Sequence, residues 1–218
     1  MPLFRTPTRN VVSPAGNVRD GIACMTFGYH NYLMKNMHLY AMLTIFFMAL
    51  SLPVAADQND PRLGPLFEKL KTAPDFEAAH ELEFHIWNIW SKAGTAGGGV
   101  LFRQGVQYMN DGEQEKALVN FNALVEIEPD FAEGWNKRAT LRYLMGDYDG
   151  SVADIQRTLA LEERHFGALS GLGLIYDALD QKEAALKAFR AALEIHPNME
   201  AIRRRAEELV EETEGIPL

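Results

Sequence analysis

Three stretches of the chain align with one another at a constant offset of 34 residues. Small residues recur at two positions of this period and a large apolar residue recurs at a third: Gly105/Ala139/Gly173, Ala117/Ser151/Ala185 and Phe121/Ile155/Phe189. A fixed period of this length is typical of stacked helix pairs, each formed by a helix A and a helix B. Because one pair cannot bury its own apolar face, neighbouring pairs must share a core. Chains built in this way generally present binding surfaces rather than active sites.

The period divides the centre of the chain into three predicted repeats, which together cover 98–199: 98–131, 132–165 and 166–199. Glycine-containing turns at 110–112 and 146–147 separate helix A from helix B in the first two repeats. The small residues allow the two helices of a pair to approach closely, and the large apolar residue fills the space between layers. Helix packing therefore explains why these residue types recur at these positions.

Segments on either side of the repeats are predicted to close the stack. An additional helix pair is expected over 57–92, where apolar residues recur at the spacing of one helix face: Leu63, Leu66, Phe67 and Leu70. This pair lacks the 34-residue pattern, which indicates a degenerate first repeat that caps the stack. Residues 93–99 contain four glycines and are predicted to be a linker. Residues 200–218 are predicted to form a capping helix and a tail, in which glutamates neutralise the basic triplet 203–205.

The segment 34–56 has the parts of a secretory signal peptide. Lys35 lies near its start, an uncharged apolar run extends from 39 to 52, and small residues precede a predicted cleavage after Ala56. The apolar run is shorter than the about 20 residues that a membrane-spanning helix needs, which favours cleavage over an uncleaved anchor. We therefore predict a periplasmic protein without a membrane span after cleavage.

Residues 1–33 show neither the apolar periodicity of a helix pair nor the basic start of a signal peptide. We interpret them as an upstream extension that is either disordered or translated from a wrongly assigned start. On the second interpretation, Met34 or Met37 is the true initiator.

The net charge narrows the possible partners, and the cysteine content excludes an intrachain disulfide from the exported part. The chain has a formal net charge of −9, and residues 1–56 hold four of its basic residues but one acidic residue, so the exported part is more acidic still. Such acidity disfavours nucleic acids and anionic membrane surfaces as partners. The single cysteine, Cys24, precedes the predicted cleavage site, so the exported part has no intrachain disulfide even in an oxidising compartment.

These residues resemble the tetratricopeptide repeat (TPR) family. The third repeat carries seven residues of the family pattern: Leu172, Gly173, Tyr176, Ala185, Phe189, Ala192 and Pro197. The second repeat departs from the pattern, with Arg138 and Arg142 where the family has Leu and Tyr. The segments AEGWNKRAT and RHFGALSGLG, together with the signal peptide, also resemble exported repeat proteins of alphaproteobacteria. The resemblance implies an all-α fold, a right-handed α-solenoid of stacked antiparallel helix pairs whose A helices line a concave groove.

The resemblance further implies that a partner peptide or helix binds in this groove. Carried across by register, the groove positions are Phe102, Arg103, Val106, Met109, Glu133, Asn136, Lys137, Thr140, Tyr143, Ser170, Leu174 and Asp177. Some family members clamp a partner's C-terminal carboxylate with Lys and Asn at set groove positions. Here Val106 and Phe102 occupy two of those positions, so carboxylate clamping is not expected.

The expected function is a non-enzymatic protein–protein interaction module, a scaffold or adaptor that binds a protein or peptide partner in the cell envelope. The alternative is an accessory subunit of an envelope assembly system, such as cytochrome c maturation, that holds a peptide for an enzyme partner. A hydrolase is a third class. No cofactor and no metal site is expected, because no HExxH, paired-carboxylate or Ser-His-Asp spacing occurs in the sequence.

Two individual side chains need an explanation within the repeats. Arg138 stands at a position that normally packs inward, and a buried guanidinium needs a carboxylate partner. We predict a buried ion pair with Asp154 or Glu162; the alternative is a groove contact with a partner's acidic group. His165 lies where two repeats join and is predicted to pack in the joint or to cap the next helix.

Overall fold

The computed structural model describes residues 57–92 and 94–214 of the chain. The predicted signal peptide and upstream extension lie outside these residues. A short 3₁₀ turn at Asp57–Asn59 opens the described part, which contains nine α-helices and no strand: α1 (Leu63–Lys71), α2 (Phe76–Trp90), α3 (Ala96–Asn110), α4 (Gln114–Ile127), α5 (Ala132–Leu144), α6 (Tyr148–Leu161), α7 (Phe166–Ala178), α8 (Lys182–Ile195) and α9 (Glu200–Glu214). The predicted all-α class is confirmed.

Close packing within each helix pair depends on the small residues of the 34-residue pattern. Helices α3 and α4, α5 and α6, and α7 and α8 pack as the three predicted pairs. A Cβ atom on Gly105 would lie 2.6 Å from the ring of Phe121, and a Cβ atom on Gly173 would lie 2.3 Å from the ring of Phe189. Both rings are fully buried, so in the first and third pairs only glycine lets helix A pass the ring.

The second pair meets the same requirement with different residues. Ala139 and Ile155 lie in one buried cluster, and the smaller isoleucine side chain leaves room for the alanine methyl. Ser151 stands where the other repeats have alanine, and its Oγ donates a hydrogen bond to the Ala139 carbonyl at 2.7 Å. The extra hydroxyl is therefore satisfied inside the core, as a buried polar group must be.

The turns inside the three pairs each place one residue at a positive φ. Gly112 and Gly146 have φ angles of 77°, and Asp180, at the equivalent third position, has a φ of 56°. This left-handed region is readily populated by glycine and costs other residues free energy, least of all aspartate and asparagine. The turn positions expected from the sequence are therefore confirmed.

An ion pair in the second repeat confirms Asp154 as the predicted partner of Arg138. The Nε and Nη2 atoms of Arg138 donate to the two carboxylate oxygens of Asp154 at 2.8 and 2.7 Å. Arg142 donates to the same carboxylate at 2.9 Å, and Asp154 is almost fully buried. Glu162 is instead bound by Arg164. The Arg138 guanidinium thus joins α5 to α6.

The predicted linker 93–99 is too long, because α3 already begins at Ala96. The Oγ1 of Thr95 accepts a hydrogen bond from the Gly98 amide at 3.0 Å, which caps the helix. The Glu128 carboxylate accepts from the amides of Gly94 and Thr95 at 2.7 and 2.9 Å. A Cβ atom on Gly98 would lie 1.8 Å from that carboxylate. Glycine at this position therefore makes room for the group that stabilises the helix end, which offsets its poor helix propensity.

The predicted helix pair over 57–92 exists as α1 and α2, here called the N-terminal hairpin. The prediction that it is a degenerate first repeat capping the stack is wrong, because it does not stack in front of the first repeat. Its main contacts lie with the third repeat. Leu63, Phe67 and Trp90 share a buried cluster with Phe166 at the start of α7, and Ile195 at the end of α8 packs against the same cluster. The hairpin therefore turns back along the solenoid instead of forming a layer in front of α3.

Polar contacts fix the hairpin along the row of loops that join one repeat to the next. Gln58 donates to the Asp130 carbonyl at the end of the first repeat at 2.6 Å. Asn198, after the third repeat, donates to a carbonyl between α1 and α2 at 3.2 Å. Between them, the Trp90 ring stacks on His165 with centroids 4.2 Å apart. The hairpin thus bridges the ends of all three repeats.

Helix α9 covers the other end of the stack, as predicted. Its buried residues Ala206 and Leu209 pack against Phe189 of the third repeat. Arg205 donates to both carboxylate oxygens of Asp177 on α7 at 2.7 Å, and its other nitrogen contacts Glu208 and Glu212. The expected neutralisation of the basic triplet is thereby confirmed at Arg205.

Candidate functional site

The predicted groove face is formed by α3, α5 and α7. The structure gives its predicted residues three kinds of surroundings. Arg103, Thr140 and Leu174 are exposed; Val106, Met109, Lys137, Tyr143 and Asp177 are partly exposed; Phe102, Glu133, Asn136 and Ser170 are buried. Phe102 lies in the core of the first repeat, with its ring centroid 5.4 Å from that of Phe131.

One cavity on this face brings five predicted groove residues together: Asn136, Thr140, Tyr143, Ser170 and Leu174. It lies between α5 and α7 and has a volume of about 250 Å³. Its remaining lining comes from Ala139, Leu144, Ser151, Ile155, Gly167, Gly171 and Ile175. We call this cavity, defined by these twelve residues, the α5–α7 slot.

Two glycines one turn apart on α7 line the slot. Gly171 leaves it open, whereas a Cβ atom on Gly167 would approach the Trp87 ring of the hairpin to 2.8 Å. Gly167 and Gly171 occupy the positions that Glu133 and Lys137 hold in the second repeat. A Cβ atom on Gly171 would meet the Ile155 side chain at the ordinary contact distance of 3.7 Å, with open space beyond. Sequence reasoning did not include these glycines or Ile155 in the site. The signal that could have found them was the absence of side chains at two groove positions separated by four residues.

The threonine and serine hydroxyls in the slot are already engaged with the backbone. Thr140 Oγ1 donates to the Asn136 carbonyl at 3.0 Å, and Ser170 Oγ donates to the Gly167 carbonyl at 3.0 Å. The Asn136 amide donates from Nδ2 to Glu133 at 2.9 Å. Its Oδ1 accepts no hydrogen bond from the residues that the structure describes. The slot is therefore apolar at its floor, with the Asn136 amide oxygen and the Tyr143 hydroxyl available at its wall.

A buried carboxylate lies behind the wall of the slot. Glu133 is 1% exposed and is contacted by His165 Nε2 at 3.0 Å and by Lys137 Nζ at 3.1 Å. Burial alone would raise the pKa of Glu133, but the charge of Lys137 and the hydrogen bonds from His165 and Asn136 outweigh it and hold the pKa below its ordinary value. Glu133 is therefore charged at neutral pH and is neutralised within the protein.

His165 confirms the predicted capping role. Its Nδ1 accepts a hydrogen bond from the Ala168 amide at 3.1 Å, in the first turn of α7. The ring proton of neutral histidine must then be on Nε2, from which it is donated to Glu133. His165 is fully buried against Trp90, so one side chain links the second repeat, the third repeat and the N-terminal hairpin.

The two charged groove residues next to the slot are also engaged internally. Lys137 is bound to Glu133, and its ammonium group lies 5.2 Å from the centre of the Trp87 ring. Asp177 is held by Arg205, whose hydrogen bonds keep the pKa of Asp177 below its ordinary value. The groove face beside the slot therefore carries little uncompensated charge.

Residues 57–92 and 94–214 contain no cluster of three or more His, Cys, Asp or Glu side chains placed to hold a metal ion. In the same part of the chain, no helix has the length and apolar character required to cross a bilayer.

The comparison with known proteins agrees with this geometry. Models of the tetratricopeptide repeat match residues 100–130 and 166–199. A TPR repeat-containing protein of Rhizobium etli is 32% identical over 161 residues, which cover 74% of this chain and 79% of that protein. The chain belongs to the tetratricopeptide repeat family.

Solved TPR structures share the fold. The first TPR of Spaghetti (RPAP3), bound to the HSP90 peptide SRMEEVD, is 20% identical and superposes with a TM-score of 0.52 over 54% of this chain and 93% of that one. MamA is also 20% identical, with a TM-score of 0.52 over 68% of this chain and 84% of that one. At this identity the likeness shows the TPR fold alone. The resemblance inferred from the sequence is confirmed at the level of family and fold.

Proposed function

We propose that this TPR protein is a non-enzymatic interaction module of the cell envelope, which binds a partner polypeptide on the face formed by α3, α5 and α7. The α5–α7 slot is the observation that carries this proposal. It is a concave site between two A helices, and its mouth includes two exposed leucines, Leu144 and Leu174. Exposed apolar residues around a buried apolar floor favour the docking of another chain.

A solved TPR structure supports peptide binding in general, but the peptide it binds differs in charge from the one expected here. The RPAP3 domain is bound to the peptide SRMEEVD, which contains two glutamates and an aspartate. The slot contains no lysine, arginine or histidine. We therefore infer that this protein binds a peptide or helix through side-chain insertion rather than through acidic groups.

Site-specific photocrosslinking in living cells tests the proposed binding face. A photoreactive phenylalanine analogue replaces Leu174, at the mouth of the slot, or Val119 on α4, which is 67% exposed. We expect a defined crosslinked adduct from position 174 and none from position 119. Equal crosslinking from both positions, or crosslinking from 119 alone, would contradict the proposal.

Export is proposed from the sequence of 34–56 and needs its own measurement. We expect the mature protein in an envelope fraction to begin at Asp57, as read by N-terminal sequencing or intact mass. A protein that retains the apolar run 39–52, or that remains with the cytoplasmic fraction, would contradict an envelope function while leaving the binding face untouched.

A further inference from the structure

We propose that the α5–α7 slot receives one uncharged apolar side chain of the partner, aromatic or long aliphatic, and that ionic attraction contributes little to binding there. This inference rests on the proposed function and specifies its partner. It follows from the volume of the slot, from the residues that line it, and from the internal pairing of the charges around it.

The volume fits a single large side chain. The slot measures about 250 Å³, whereas pockets for drug-sized molecules measure about 300–1,000 Å³. An apolar cavity of about 150 Å³ is known to hold one benzene molecule. The slot is therefore large enough for an aromatic ring or a long aliphatic side chain with its adjoining backbone, and too small for a whole helix.

The depth of the slot favours an apolar group. Its floor is made by Ile155, Ile175 and Ala139, all of which are buried. Leu144 and Leu174 stand at its mouth, 56% and 39% exposed. An inserted side chain would cover these leucines as well as bury its own surface, and each apolar Å² removed from water contributes about 25 cal/mol.

The absence of charged residues from the slot selects against ionised groups. Charged residues make up 23% of the chain, yet none of the twelve lining residues is Asp, Glu, Lys, Arg or His. A carboxylate or ammonium group placed there would lose its hydration without gaining a counter-ion. The nearest charges do not compensate, because Lys137 is bound to Glu133 and Asp177 is bound to Arg205.

Two polar groups of the slot remain available to the partner, the Tyr143 hydroxyl and the Asn136 amide oxygen, and the amide oxygen suits the partner's backbone. Asn136 uses its Nδ2 on Glu133, which fixes the orientation of the amide. The Oδ1 atom can then accept a hydrogen bond from a backbone N–H of the partner next to the inserted side chain. The expected occupant is thus an uncharged segment with one anchoring apolar residue.

Peptide selection on the full chain tests this partner chemistry. Short random peptides displayed on phage are selected against the immobilised protein, and the enriched peptides are synthesised and titrated at low and high salt. Exposed ionic contacts weaken as the Debye length falls from about 10 Å at 0.1 M to about 3 Å at 1 M. We expect a shared aromatic or long aliphatic residue with uncharged neighbours, and a change in Kd below about twofold over this range.

A pair of matched glycine variants locates the binding site. Gly171→Leu projects a side chain into the slot, while Gly64→Leu adds the same side chain on α1, where nothing lies within 4 Å. We expect Gly171→Leu to weaken the selected peptides by at least about tenfold, the loss typical of an interface anchor, and Gly64→Leu to leave their Kd unchanged. Gly171→Ala keeps an ordinary 3.7 Å contact with Ile155 and serves as the milder variant if leucine impairs folding.

The outcomes separate the inference from the proposed function. Peptides rich in acidic residues, a Kd that weakens strongly with salt, or full binding by a folded Gly171→Leu protein would overturn the inference. If such peptides still crosslink at position 174, the binding face remains. Failure to enrich any peptide would count against both the inference and the proposed interaction module.

Discussion

A prediction about Gly173 tests the packing logic of the whole stack. Replacing Gly173 by alanine places a Cβ atom 2.3 Å from the Phe189 ring, well inside van der Waals contact. Phe189 is fully buried, so its ring cannot swing into solvent to relieve the overlap. The helices α7 and α8 must separate, or the ring must leave its preferred rotamer.

The expected loss of stability follows from two opposing effects. Overpacking a well-packed core costs about 1–3 kcal/mol, whereas alanine in place of glycine inside a helix stabilises by about 0.5–1 kcal/mol. The overlap at 2.3 Å is severe, so we expect a net loss of about 1–2 kcal/mol. Gly171→Ala lies on the same helix with a contact of 3.7 Å, and as the matched control it should stabilise by about 0.5–1 kcal/mol.

The second repeat supplies the compensating change. There Ala139 is paired with Ile155, so Phe189→Ile should recreate that pair when it is combined with Gly173→Ala. We expect the double variant to be more stable than the sum of the single variants by at least about 1 kcal/mol, a coupling that is typical of residues in contact. Urea unfolding followed by circular dichroism gives each free energy of unfolding by linear extrapolation. Zero coupling, or a Gly173→Ala protein as stable as the wild type, would refute the reasoning.

Three further predictions follow from individual residues. Asp180→Gly should raise stability by about 0.5–1 kcal/mol, because glycine adopts the φ of 56° without the left-handed penalty; a lower Tm would contradict this. Burial opposes the charged form of Glu133, yet Lys137 and His165 hold its pKa below the ordinary 4.5. Its stabilising contribution is therefore present above that pH and is lost as the pH falls through the lower folded-state pKa, and Glu133→Gln should flatten this part of a Tm–pH profile. Arg138→Met should destabilise by about 1–3 kcal/mol, because its buried aspartate partner loses two charge-assisted hydrogen bonds but keeps a second arginine; an unchanged unfolding midpoint in urea would contradict this.

Local patterns in the sequence were sufficient to predict the repeats. The register of Gly105 and Gly173 with their facing phenylalanines is a contact between helices close in sequence, and the 34-residue period repeats it. The Arg138–Asp154 pair could be predicted for the same reason, since a buried guanidinium requires a nearby carboxylate. Each of these contacts is made within one helix pair.

The position of the N-terminal hairpin could not be read from such patterns. The apolar stripe formed by Leu63, Phe67 and Leu70 shows that this face of the hairpin must pack against another part of the chain. It does not identify which part. The covering residue Phe166 stands about 100 positions later, at the start of a repeat helix. In the sequence it resembles an ordinary core residue of the third repeat.

In the second and third repeats, the hairpin and α9 together determine which part of the groove face stays accessible to a partner. At one end, Trp87 of the hairpin lies against Gly167, where a Cβ atom would approach the ring to 2.8 Å, and it also covers Lys137. At the other end, α9 engages Asp177 through Arg205. Lys137 and Asp177 are thus both engaged by the chain's own flanking segments. What stays open between them is the uncharged α5–α7 slot, so the same contacts that close the solenoid also direct its binding surface towards apolar partners.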